Sequence, residues 1–210
     1  MVPEAAKPAA AAVDFWFDFI SPFGYLASLR IDALAARHGR VVQWRPILLG
    51  VTVLRVMGLK PIPETPLKGS YARHELQRYQ RRHGLCLGRD LDRPPMAPLP
   101  AARAFVALQH LAPDWATPFA RSVLHGYWGD GVDMDTPEAL WQAGRQAGVP
   151  ADCLGAALAS AAAAGWLRTA VDEAIALGVF GSPFFRVDGE LFFGVDKLEL
   201  IDEWLACGGW

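Results

Sequence analysis

The 210-residue chain carries only three cysteines, Cys86, Cys153 and Cys207, and no two of them stand at a redox or metal-binding spacing. An odd number of scattered thiols excludes a disulfide framework and fits reduced cysteines in a cytoplasmic protein. Charge of one sign is also missing: 20 basic residues face 22 acidic ones, for a net charge of −2, which leaves no electrostatic footprint for nucleic acid. No run of 18 uninterrupted apolar residues occurs, which argues against a membrane span. The five histidines (His38, His74, His83, His110, His125) lack metal-ligand spacing, so no metal is expected. Residues 1–12 are rich in Ala and Pro with a single lysine, Lys7. They lack the strongly apolar centre of an export signal and read as a disordered leader.

What is present is a chain that is 52% hydrophobic and long enough to bury a substantial core. Residues 13–20 form an apolar and aromatic run, broken by Asp14 and Asp18, that suits a strand covered on both faces. Ser21 then serves as N-cap and Pro22 as first residue of a helix over 22–38, stopped by Gly39. A second strand over 41–46 completes a βαβ unit. From residue 48 to about 178 the strand signals vanish. The proline-rich stretch 60–66 reads as an extended loop. Helices are expected over 69–83, 100–111, 115–127, 136–147 with Thr136 as N-cap, 151–164 and 166–177. Basic residues between Arg73 and Arg93 mark either a solvated helix face or an anion-attracting rim. Strand character returns over 184–187, and Asp188-Gly189 signals a hairpin to a strand over 190–193, before a last helix over 196–207. The order βαβ, helices, ββα is that of a thioredoxin-like α/β fold. Residues 13–47 and 179–210 would form the thioredoxin-like domain, and residues 48–178 an all-helical insertion domain.

Ser21-Pro22-Phe23-Gly24 stands where the first strand meets its helix, the place where redox proteins of this topology carry Cys-x-x-Cys. Ser21 replaces the leading cysteine and Gly24 the trailing one, which excludes disulfide exchange. A hydroxyl at a helix N-terminus, beside unpaired N–H groups, suits a neighbouring anion such as the thiolate of another molecule. Ser182-Pro183, before the third strand, is expected to meet this turn with a cis peptide bond, leaving the Ser182 N–H and C=O free to pair with an extended peptide. In Gly194-Val195-Asp196-Lys197, Asp196 either accepts a primary ammonium beside a helix N-terminus that takes a carboxylate, or merely caps that helix.

Together, Phe17-Asp18-Phe19-Ile20-Ser21-Pro22-Phe23-Gly24-Tyr25-Leu26-Ala27, Arg45-Pro46-Ile47-Leu48-Leu49-Gly50 and the segment 178–196 resemble the 2-hydroxychromene-2-carboxylate isomerase family. That family is similar to kappa-class glutathione transferases within the DsbA-like thioredoxin-fold group. The resemblance spans residues 13–205 and is looser through the helices. It implies a glutathione-dependent cis-trans isomerase of aromatic-compound degradation, interconverting 2-hydroxychromene-2-carboxylate and trans-o-hydroxybenzylidenepyruvate. The glutathione thiolate would add, allow rotation about the former double bond, and leave unchanged.

The same resemblance makes Ser21 the catalytic hydrogen-bond partner of the glutathione sulfur. Ser182, beside Pro183, would pair through its backbone with the cysteinyl part, and Val195 with Asp196 would hold the γ-glutamyl head. Lys68 would be a further glutathione contact. Leu59 stands where the family often has asparagine, so that polar contact is absent. The substrate is a small aromatic carboxylate, and its pocket should combine apolar walls, with Phe23 and Trp44 as candidates, and a cation from Arg45, Lys60 or Lys68. Relatives are often dimers, and a homodimer is therefore allowed for. Two further readings share these residues: a kappa-like glutathione transferase acting on another electrophile, and a non-catalytic DsbA-like binding module in which Ser21 is an inert cap.

Overall fold

The computed structural model describes residues 12–210. The leader expected over 1–12 lies, but for its last residue, outside the described residues.

A four-stranded sheet in the order β2-β1-β3-β4 forms the centre. Strand β1 (Val13–Phe17) pairs parallel with β2 (Val42–Pro46) and antiparallel with β3 (Phe184–Val187), which forms the hairpin with β4 (Glu190–Phe193). Every residue of β1 is buried, its apolar and aromatic side chains as their character demands and Asp14 through its pairing with Arg45 and Arg186. Alternate side chains take opposite faces. Phe15 and Phe17 meet Trp44 at 5.0 and 5.2 Å, and Phe17 reaches Phe105 at 5.2 Å, which joins the sheet to the helices. Trp16, on the other face, packs with Ile47, Ala174, Val179 and Phe184.

Between the two halves of the sheet lie α3 (Lys68–His83), α4 (Leu99–Leu111), α5 (Ala116–Leu124), α6 (Pro137–Gln146), α7 (Ala151–Leu158) and α8 (Ala163–Ala176). Helix α4 is their hub, and its buried alanines 101, 102, 104 and 107 let α5, α7 and α8 approach. Thr136 caps α6 by accepting the Ala139 N–H at 3.2 Å, as its position predicts. Buried side chains of the sheet and of these helices form one continuous cluster. Among the described residues no single helix is long and apolar enough to cross a membrane.

Several boundaries differ from the sequence expectation. The helix expected over 22–38 is two, α1 (Pro22–Ser28) and α2 (Ile31–Arg37). Ser28 Oγ donates to the Tyr25 carbonyl at 2.7 Å, a back-bond that competes with helix continuation. Arg30, at the break, reaches the Tyr79 hydroxyl at 2.6 Å and Glu199 at 3.1 Å. The segment after α5 continues as a π-helical turn, His125–Gly129, and another, Gly50–Val56, follows β2. The junction expected at Gly165 lies inside α8. A 3-10 turn, Val195–Lys197, precedes the last helix α9 (Leu198–Cys207), and another, Ile62–Glu64, interrupts the proline-rich loop.

Candidate active site

Two serines from opposite ends of the chain interlock where β1 runs into α1. Ser21 is buried, at 3% exposure, and its N–H donates to the Asp18 carbonyl at 3.0 Å. Its Oγ accepts the Gly24 N–H at 3.0 Å, the N-cap bond expected of it, and donates to the Ser182 carbonyl at 2.9 Å. In return Ser182 Oγ accepts the Asp18 N–H at 3.0 Å. The Ser182-Pro183 bond is cis. Of the two backbone groups expected to be free at Ser182, the N–H makes no hydrogen bond among the described residues, whereas the carbonyl is taken by Ser21. Because α1 spans seven residues rather than seventeen, the field at Ser21 is that of a short helix, and its side-chain bonds matter more than the macrodipole.

Gly24 is required for this interlock. A Cβ at residue 24 would lie 2.6 Å from Ser182 Oγ and 3.3 Å from Ser21 Oγ, so any larger residue would push the serines aside.

Asp18 braces the arrangement from beneath. Its carboxylate is 1% exposed and accepts the Ile20 N–H at 3.1 Å and the Leu49 N–H at 2.7 Å, tying the Ser21 turn to the chain leaving β2. Burial pushes its pKa up to about 6, opposed by the backbone N–H groups it accepts. The helical segment is fastened to the same turn: the Trp128 indole N–H donates to the Phe19 carbonyl at 2.9 Å. One pair had no sequence signal. The Tyr25 hydroxyl lies 3.1 Å from His125 Nδ1, and burial, with the nearby Asp130 charge, raises the tyrosine pKa.

The Gly194 N–H donates to the Pro183 carbonyl at 3.1 Å, so the hairpin end is brought to the Ser182-Pro183 turn. Gly194 has φ 108°, a conformation suited to glycine, and the Asp196 carboxylate folds back against it. Asp196 makes no capping hydrogen bond; its exposed carboxylate pairs with Lys197 at 2.7 Å. Val195 is buried beside α1. Ser21, Ser182, Pro183, Val195 and Asp196 thus converge at one end of the sheet.

The remaining predicted residues are distributed differently. Phe23 is half-buried against the core. Leu59 is 51% exposed, and Lys60 and Lys68 are exposed, without ion pairs among the described residues. Arg45 lies on the Trp16 face of the sheet, where its Nε donates to Asp14 at 2.6 Å and Arg186 takes the other carboxylate oxygen at 2.8 Å. The two guanidiniums thus share one carboxylate, which holds Arg45 on that face. Trp44 is core rather than pocket wall, 3% exposed, with its indole N–H on Asp32 at 3.2 Å.

A family model described as a DSBA-like thioredoxin domain matches residues 12–206. The chain is similar to a 2-hydroxychromene-2-carboxylate isomerase of Sphingobium xenophagum, 31% identical over 199 residues that cover 92% of this chain and 97% of that protein. It is also similar to glutathione S-transferase kappa 1 of Homo sapiens, 24% identical, covering 92% of this chain and 90% of the relative. Among solved structures, a selenomethionine 2-hydroxychromene-2-carboxylate isomerase superimposes with a TM-score of 0.77 at 25% identity, covering 94% of this chain and 95% of the other.

Proposed function

The chain belongs to the DsbA-like thioredoxin family, and we propose that within it this protein is a glutathione-dependent isomerase. It would interconvert 2-hydroxychromene-2-carboxylate and trans-o-hydroxybenzylidenepyruvate. The observation that carries this reading is a buried serine hydroxyl in place of the leading cysteine, hydrogen-bonded to the residue before the cis proline. It is joined by 31% identity to a relative named for that activity.

Three features support a fit to glutathione. The free N–H and the carbonyl of Ser182 suit pairing with an extended peptide. The exposed Asp196 carboxylate suits an ammonium, and the turn at Gly194 and Val195 holds it beside the Pro183 carbonyl. Ser21 and Gly24 exclude a protein disulfide, so the thiol must come from elsewhere. Bound glutathione would supply a nucleophilic sulfur that returns unchanged.

The residues of the chain then have distinct tasks. Ser21 holds a proton on Oγ that is directed at the Ser182 carbonyl. Turned from that carbonyl, the same proton would be donated to the glutathione sulfur and would favour its ionised form over a thiol that titrates near 8.5 in water. Lys68 and Lys60 supply cations, for glutathione and for the substrate carboxylate, and Phe23 and Leu59 supply apolar surface. The reading includes a homodimer acting in the cytoplasm. The test is the absorbance change of 2-hydroxychromene-2-carboxylate with and without glutathione; turnover indifferent to glutathione overturns it.

A further inference from the structure

We propose that the Ser182 hydroxyl, and not its backbone alone, is a second hydrogen-bond donor to the glutathione sulfur, an assignment that rests on the glutathione-dependent reading above. Two hydroxyl oxygens converge on one spot: the point where a Cβ of residue 24 would sit is 2.6 Å from Ser182 Oγ and 3.3 Å from Ser21 Oγ. In a Cys-x-x-Cys protein of this topology the trailing sulfur projects from that carbon. Here glycine leaves the volume to the Ser182 side chain. The missing group at residue 24 and the hydroxyl at residue 182 are therefore one arrangement.

The distribution of protons points the same way. A serine hydroxyl accepts twice at most and donates once. Ser21 accepts the Gly24 N–H and gives its single proton to the Ser182 carbonyl. Ser182 Oγ accepts the Asp18 N–H, and its own proton has no acceptor among the described residues. The oxygen is held in place by a backbone group of a turn that the Asp18 carboxylate itself braces through Ile20 and Leu49. Its proton is free to be given. Ser182 is of intermediate exposure, and because its proton has no protein acceptor among the described residues an arriving thiolate would take it up without breaking a protein hydrogen bond.

Two donors at sulfur hold the ionised form better than one. No covalent bond at Ser182 forms or breaks: its O–H stays intact and only its acceptor changes. Ser182 thereby gains a role that its backbone contact to a peptide does not require.

The experiment is an ultraviolet titration of the thiolate of bound glutathione on the folded full-length protein, comparing wild type with Ser182→Val, Ser182→Thr and Gly24→Ala. Valine and threonine share a shape and differ in the hydroxyl. The expected result is a thiol ionisation constant about tenfold lower in Ser182→Val than in wild type, the scale of one hydrogen bond to a charged group, and recovery in Ser182→Thr. Gly24→Ala keeps both hydroxyls but puts a methyl 2.6 Å from Ser182 Oγ and, less tightly, 3.3 Å from Ser21 Oγ, so a weakening at least as large is expected without replacing Ser182 itself. A wild-type ionisation constant in both Ser182→Val and Gly24→Ala overturns the Ser182 assignment and leaves the glutathione reading standing. Failure of the wild-type protein to bind glutathione, or to lower its thiol pKa, overturns both.

Discussion

The Ser21 hydroxyl and the Ser182 backbone carbonyl, 161 residues apart in sequence, are joined by a hydrogen bond of 2.9 Å. Ser21→Ala removes this link together with the acceptor of the Gly24 N–H. Loss of the N-cap is expected to cost about 1 kcal/mol of stability. Turnover is expected to fall by about tenfold or more, a floor set below the roughly 10²–10³-fold that one lost donor costs at a reacting centre. Steady-state kinetics beside a denaturation curve separates the two effects; unchanged turnover would reduce Ser21 to a helix cap.

Asp18 should impose a pH dependence on folding. Its pKa rises from 3.8 to about 6 because burial disfavours its charge. Between those values the folded chain binds more protons than the unfolded one, so stability falls as pH rises through the window and levels off above it. The shift corresponds to roughly 3 kcal/mol as an upper figure. Denaturant titrations at pH 4, 5, 6 and 7 should show this slope in the wild type and its loss in Asp18→Asn. A slope that persists in the variant would assign it to another group.

Arg45→Ala should leave the KM for the aromatic carboxylate unchanged, since its guanidinium is engaged with Asp14 on the Trp16 face. Arg186 stays on the same carboxylate and both arginines are partly exposed, so the stability loss is expected to be about 1 kcal/mol. Lys60→Ala and Lys68→Ala should raise KM instead. A raised KM confined to Arg45→Ala would reverse this assignment.

Leu59 is half-exposed, and replacing it with asparagine should change stability by no more than about 0.5 kcal/mol. The added amide is expected to tighten binding of glutathione or substrate. Calorimetric titration of Leu59→Asn with each ligand checks this; affinities equal to wild type for both would show that residue 59 does not reach the site.

Much of this arrangement was legible in the sequence because local rules governed it. The Asp188-Gly189 hairpin, the Thr136 cap and the strand-Ser-Pro-helix junction each follow from one or two residues with restricted backbone preferences. The break at Leu29 and Arg30 was not legible, because Arg30 is held by Tyr79 and Glu199, partners far away in the chain. The two π-helical turns have no composition of their own and arise from tertiary fit. Within the site, Ser21 and Ser182 were each identifiable. That the hydroxyl of one closes on the carbonyl of the other depends on the exact approach of two loops, which no spacing encodes.

The position of β1 between β2 and β3 has a consequence for how the chain is made. Asp14 of β1 meets Arg186 of β3 across 172 residues, and every helix between them is synthesised first. One edge of an aromatic central strand therefore stays open until the last part of the chain emerges, a long-range closure of the kind that slows folding and exposes unpaired strand to other molecules. A truncation just before Phe184 would keep nearly all the helices and still strand that edge. Such a fragment should aggregate, and supplying the C-terminal hairpin as a separate peptide should relieve it.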